Sequence, residues 1–183
     1  AAEEEARRRA AAEDGRRQRE QTAAQAPPAP VKGSSGFAAQ RGRLEPPVAG
    51  TVITEYGRHQ EGRYGISTVQ NGIDIQAAPG SQVRAVYSGR VVYADSLKGY
   101  GLLLIVDHGQ QFYSLISRAA RLTRKVGDEV KTGEVVGFLA DDPELAAEGL
   151  HFEIRQGVTP EDPMRWLNHA RLTVKGVKRA DSR

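Results

Sequence analysis

The chain has 183 residues, of which 39% are hydrophobic and 27% charged, with no cysteine and a formal net charge of +3. That length suits one moderate domain plus an appendage. The missing cysteines exclude disulfides and thiolate metal sites and fit an oxidising compartment, no apolar run approaches the roughly 18 residues of a membrane-spanning helix, and the mild charge is explained by ordinary solubility, so no nucleic-acid partner is expected.

The chain opens Ala1-Ala2-Glu3-Glu4-Glu5. It shows neither the basic leader nor the apolar core of a signal peptide, and without an initiator Met it reads as a processed or truncated piece. Residues 1–26 are rich in Ala, Glu, Arg and Gln, all strong helix formers. Glu3, Glu4 and Glu5 each stand four residues before Arg7, Arg8 and Arg9, the favourable order for helical ion pairs. No Leu, Ile or Val accompanies them. The stretch is expected to be a helical or disordered arm, the end of an upstream coiled coil. Its interleaved acids argue against a nucleic-acid-binding arm. Residues 27–46 form a linker and lead-in segment: Pro-Pro-Ala-Pro-Val-Lys-Gly-Ser-Ser-Gly fixes and frees the backbone by turns, and Phe37 to Leu44 leads into the folded part.

From 47 to 168 short β-type runs alternate with glycine punctuation. The expected strands are 51–56, 72–75, 82–87, 89–94, 102–107, 111–116, 135–139 and 150–155. Ala78-Pro79-Gly80, Ser88-Gly89, His108-Gly109 and Thr132-Gly133 supply turns between them. Many short strands without a long amphipathic helix predict an all-β sandwich or barrel. Leu102-Leu103-Leu104-Ile105-Val106 is continuously apolar, which predicts a central strand covered on both faces. Pro163-Met164-Arg165-Trp166-Leu167 is expected to form a short turn that docks Trp166. Residues 169–183 are read as a polar tail.

The ordered set Asn71-Gly72-Ile73-Asp74-Ile75, Ala78-Pro79-Gly80, Ser88-Gly89-Arg90-Val91-Val92, Gly99-Tyr100-Gly101, Val106-Asp107-His108-Gly109, Val126-Gly127-Asp128-Glu129-Val130 and His151-Phe152-Glu153-Ile154-Arg155 resembles the lysostaphin-type (LytM) metallopeptidase domain. The likeness runs from Gly50 to Leu167. The lead-in from Phe37 to Pro47 is more specifically similar to the EnvC-type murein hydrolase activators, in which a coiled coil precedes a degenerate LytM domain. The resemblance implies a LytM-type β-sandwich with a duplicated hybrid motif.

In active members, the resemblance implies, zinc is held by H-x-x-x-D and the second His of H-x-H. Two more histidines, from Y-x-H-L and the first His of H-x-H, assist the water. Position by position, the ligands fall at Gln70, Asp74 and His151, and the assisting histidines at Leu115 and Gly149. A catalytic zinc normally needs three protein ligands and an open water position. A neutral amide at Gln70 does not replace an imidazole, Leu115 moves no proton and Gly149 has no side chain. General acid–base help is worth roughly 10²–10⁴-fold, so a pseudoenzyme is expected: no catalytic residues and no cofactor, with Asp74 and His151 as residual ligand-type residues retained through hydrogen bonding. His59 in a loop, His108 at a strand end and His169 near the tail are read as ordinary surface or turn residues.

The resemblance then implies a non-enzymatic activator of a zinc-dependent N-acetylmuramoyl-L-alanine amidase that acts on septal peptidoglycan during cell separation. The former active-site groove, with Asn71, Asp74, Tyr100, His151 and Arg155, would bind the amidase and displace its autoinhibitory helix. The missing coiled coil would bind an FtsEX-type membrane complex. The setting is the periplasm or cell envelope of a bacterium. Two alternatives stand beside this reading: a zinc-dependent endopeptidase with an unusual site, and a peptidoglycan-binding module without a protein partner.

Overall fold

A computed structural model describes residues 36–61 and 66–175. The expectations for residues 1–26, and for the linker before Gly36, lie outside the described residues. Among the described residues fourteen strands carry the fold: β1 (Gly50–Thr54), β2 (Gly57–Glu61), β3 (Ile66–Gln70), β4 (Ile73–Gln76), β5 (Gln82–Arg84), β6 (Gly89–Leu97), β7 (Gly101–Asp107), β8 (Phe112–Ser117), β9 (Arg121–Leu122), β10 (Glu129–Val130), β11 (Val135–Phe138), β12 (Leu150–Gln156), β13 (Thr159–Glu161) and β14 (Leu172–Val174). Among the described residues one short α-helix, α1 (Pro143–Ala147), starts on Asp142, whose side chain accepts from the backbone N–H groups of Glu144 and Leu145. None of the described helices is long and apolar enough to cross a membrane.

The large sheet runs β10-β6-β7-β8-β12-β4-β1-β14, with β13 paired to β12; a smaller sheet runs β5-β11-β9, and β2 and β3 form a separate hairpin. The residues predicted this architecture where they alternate. In β12 Phe152 and Ile154 are wholly buried toward the core, and register sets Phe152 beside Ile116 of β8 and Ile73 of β4. Ile116 in turn lies beside Leu104 of β7. From the small sheet, Val83 and Val136 close the same core. The fold is the expected all-β sandwich.

The continuous apolar strand β7 lies inside the sheet, as expected. Leu104 and Val106 face the core, whereas on the other face Leu103 is buried and Ile105 only partly so. Trp166 is fully buried, and its indole N–H donates to Glu161 at 2.7 Å.

Three differences from the sequence reading stand out. The β2–β3 hairpin occupies a stretch to which the sequence assigned no strand, because Gly57-Arg58-His59-Gln60-Glu61 has no apolar alternation. His59 is therefore on a strand and not in a loop. Strand β14 lies in the stretch read as polar tail: it pairs in parallel with β1, Gly50 beside Leu172 and Val52 beside Val174. Two apolar side chains separated by one threonine were enough to add an edge strand. His108 is the third. Its ring stacks on Phe37 at 4.8 Å, one ring nitrogen is bonded to the Ser88 carbonyl at 2.9 Å, and the other to the Ser114 hydroxyl at 2.7 Å. Burial depresses its pKa to about 4, outweighing the Ser88 carbonyl and Asp107. It is a satisfied interior histidine, held in an aromatic cluster with Phe37, Tyr87, Phe112 and Trp166.

Candidate functional site

Successive residues of a strand point to opposite faces, and residues paired across strands share one. With Phe152 and Ile154 in the core, His151, Glu153 and Arg155 must therefore line the opposite face. Register sets Leu103, Ser117, His151 and Asp74 side by side across β7, β8, β12 and β4. The next row on the same face holds Tyr93, Ile105, Leu115 and Glu153. Arg155 lies beside Tyr113 one row further on.

These side chains form a continuous run of alternating charge. The Arg118 guanidinium lies 3.2 Å from Asp74 Oδ1, which also receives His151 Nδ1 at 2.7 Å. His151 Nε2 meets Glu153 Oε1 at 2.9 Å, and Arg155 donates Nε and Nη2 to Glu153 Oε2, each at 2.7 Å. Gln70 Nε2 donates to the remaining Asp74 oxygen at 3.0 Å. Burial alone would raise the pKa of both carboxyls. For Asp74 the His151 hydrogen bond, the Arg118 and His151 charges and a Thr54 hydrogen bond outweigh it and lower the value. For Glu153 the bonds and charges of His151 and Arg155 do the same. Burial opposes the His151 cation as well, but Asp74 and Glu153 together raise its pKa. Each ring nitrogen of His151 thus faces a carboxylate oxygen, an arrangement that favours the protonated ring.

That arrangement does not fit a zinc ligand set. A histidine ligand needs a bare nitrogen lone pair, and both ring nitrogens of His151 are committed to carboxylates. Asp74 Oδ1 is shared by two cations, and Gln70 turns its amide N–H, not its oxygen, toward Asp74. Among the described residues no group of three or more His, Cys, Asp or Glu side chains converges as a metal site would. Leu115 continues the apolar row of Tyr93 and Ile105. At Gly149 the obstacle is the backbone: φ is +80°, and an added Cβ would lie 3.0 Å from the Ile75 carbonyl oxygen. His59 lines the cleft but its Nε2 is bonded to the Glu55 carbonyl at 2.6 Å, and His169 bonds the Met164 carbonyl.

The five residues expected in the groove are all near one another. Two adjoining clefts share Gln70 and Arg118. The larger, ≈ 460 Å³, is bounded by Thr54, His59, Thr68 and Asp74. The smaller, ≈ 170 Å³, is bounded by Asn71, Tyr100, His151 and Glu153. Tyr100 sits on the β6–β7 turn with its ring 6.5 Å from His151. Asp74 and His151 are neighbours on adjacent strands of the floor, because β4 and β12 pair directly. Arg155 is reached through Glu153 and borders neither cleft. Sequence reasoning missed Glu153 and Arg118. The period of two that joined His151 to Arg155 passes through Glu153 and could have found it. Arg118 carried no signal: it follows β8 in a left-handed conformation, φ +66°, which nothing in its side chain announces.

The sequence profile of Peptidase family M23 matches residues 68–163, just over half of the chain. The chain is 32% identical over 134 residues to the murein hydrolase activator EnvC of Escherichia coli, covering 73% of this chain and 31% of that protein. It is 32% identical over 122 residues to the murein hydrolase activator NlpD of Salmonella typhimurium, covering 66% of this chain and 30% of that protein. It thus spans about a third of the length of these curated relatives. The solution structure of lysostaphin superposes with a TM-score of 0.52 at 26% identity, covering 62% of this chain and 48% of that one. With the sandwich, the register of the groove floor and the profile in agreement, the chain belongs to Peptidase family M23, as a LytM-type domain with a degenerate site.

Proposed function

We propose that this domain is the activating module of a murein hydrolase activator. It binds a zinc-dependent N-acetylmuramoyl-L-alanine amidase in the groove between Tyr100, Asn71 and the β4–β12 floor, and it cleaves nothing itself. The observation that carries the reading is the Asp74–His151–Glu153 run. The residual ligand positions Asp74 and His151 are bonded to each other at 2.7 Å, and the other ring nitrogen of His151 is bonded to Glu153 at 2.9 Å. Names of the relatives supply the activity class. An upstream coiled coil engaging an FtsEX-type membrane complex, and a place in the bacterial periplasm or envelope, complete the proposal.

The test is release of dye from labelled sacculi by a cognate amidase, with and without the purified chain. The chain alone should release nothing and carry well under one zinc per molecule. Added to the amidase it should raise the rate several-fold. Tyr100→Ala should weaken activation at least about tenfold, equivalent to about 1.4 kcal/mol, with nearly unchanged melting; Arg155→Ala should weaken it as much but also lower the melting temperature, because it takes the guanidinium away from the buried Glu153 carboxylate. EDTA-sensitive cleavage by the chain alone, or no effect on the amidase, would refute the proposal.

A further inference from the structure

By motif alone, one substitution restores the three protein ligands of a zinc site. Asp74 and His151 are present, and Gln70→His would supply the third. The floor has room for the change. The bond from His151 Nε2 to Glu153 is of the kind a metal-bound histidine ordinarily keeps. Ligand atoms of a tetrahedral zinc lie about 3.3 Å apart. His151 Nδ1 and Asp74 Oδ1, now 2.7 Å apart, would need to part by only about 0.6 Å.

Arg118 is an obstacle that the motif does not show. Its Nη1 lies 3.2 Å from Asp74 Oδ1, the oxygen on which a metal would sit. A cation seated there would stand no more than about 5 Å from Nη1. The Asp74 side chain is only 8% exposed, so water screens that repulsion poorly. The guanidinium is also fixed in place. Arg118 borders both clefts, as Gln70 does. Nη1 approaches the Glu148 carbonyl at 3.5 Å, and Asp74 is its one carboxylate partner among the described residues. The residue leaves β8 at φ +66°, a left-handed conformation that persists at a residue with a side chain only where its surroundings impose it.

We propose that Arg118 is a resident cation that takes the place of a metal on Asp74, and that it bars zinc from this floor even when a third ligand is supplied. The buried carboxylate is thereby compensated by the chain itself, and the β4–β12 floor is formed with or without a metal. The role is independent of amidase binding.

The experiment is the zinc affinity and stoichiometry of the intact chain, by competition with a chromogenic chelator, with melting followed in EDTA and in zinc. The parent should melt alike in both. Gln70→His should bind zinc with a dissociation constant above about 1 μM, far weaker than a three-ligand site allows. Adding Arg118→Gln, or Arg118→Gly, which suits the left-handed backbone, should tighten binding at least about tenfold, with one zinc per chain and a higher melting temperature in zinc. Gln70→His with Arg118→Lys, which keeps the charge, should bind within about threefold of Gln70→His alone. Zinc bound as tightly by Gln70→His as by the double variants, or double variants no tighter than Gln70→His, would overturn the resident cation. Tight binding by the Lys variant would overturn it too, by assigning the barrier to the shape of the side chain. If neither double variant folds, Gln70→His decides by itself: zinc bound tighter than about 1 μM refutes the proposal.

Discussion

Glu153 is the hinge of the charged run, and Glu153→Gln tests it. The side chain is 1% exposed and accepts from three N–H groups, one of His151 and two of Arg155. Gln keeps the shape but offers one acceptor oxygen and an amide that donates. If the oxygen stays with Arg155, the amide faces His151 Nε2, which must give up its proton and accept. Charged hydrogen bonds are worth about 1.5–3 kcal/mol and neutral ones about 0.5–1.5. Converting three contacts while leaving none wholly unpaired should destabilise the fold by about 2–3 kcal/mol, below the roughly 3–5 kcal/mol of a buried pair broken outright. For a domain of this size the melting midpoint should fall by about 6–10 °C. Urea unfolding of the parent and variant measures the difference, and a cycle with Arg155→Gln should give a coupling of about 1 kcal/mol or more. His151 provides a second reading. Its raised folded-state pKa contributes stability that is full below the unfolded value and lost as pH rises through the folded one. Without the Glu153 charge that alkaline loss should shrink. A change under about 0.5 kcal/mol with an unaltered His151 titration would show that Glu153 is not a charged partner in the run.

His108 should produce an acid limb of the opposite sign. Its folded pKa of about 4 lies below the ordinary 6.5, so the unfolded chain takes the proton first. Stability is full above about pH 6.5 and falls by about 3 kcal/mol toward pH 4; His108→Phe should flatten that limb in urea titrations whatever its baseline. Starting the chain at Gly36 should leave the melting temperature within about 2 °C of the full chain, since residues 1–26 contain no Leu, Ile or Val. Phe37→Ala should cost about 3–5 kcal/mol, because the ring is buried against Tyr87, His108, Phe112 and Trp166. Equal melting of Phe37→Ala and the parent would place the boundary of the folded unit after Phe37. Gly149→Ala should destabilise by about 1–2 kcal/mol, read by the same unfolding assay, through its left-handed backbone.

The sandwich was legible because its interior strands alternate or run apolar: Phe152 and Ile154 in β12, and Leu104 and Val106 in β7, announce a core by themselves. Strand β2 was not, since pairing with β3 and not its own composition makes it a strand, and the short runs of β3 and β14, though β-prone in composition, lie beside polar stretches that hid them. The same contrast holds at the site. Asp74 and His151 could be placed by motif, and Arg155 by counting in twos. That Asp74 and His151 are bonded directly to each other, with Arg155 joined on through Glu153, depends on the pairing of β4 with β12, a contact across 77 residues of sequence between Asp74 and His151. His108 was misjudged for a related reason. A histidine before a glycine reads as a turn, and only the long-range arrival of Phe37 encloses it.

Gly149 makes the three departures from the zinc pattern unequal in how they could be undone. A histidine at 70 or 115 would replace one side chain by another on a strand that already exists. A histidine at 149 would first need a different turn between α1 and β12, since the present one exists only with φ near +80° and the Ile75 carbonyl close behind. Single substitutions therefore cannot walk this domain back to the five-residue zinc pattern through folded intermediates of full stability. Engineering of the full pattern is best begun by exchanging the Glu148–Gly149–Leu150 turn as a unit, which removes the cost of a side chain at the left-handed position. The same asymmetry leaves the side chains at 70 and 115 free to vary while the turn at Gly149 holds.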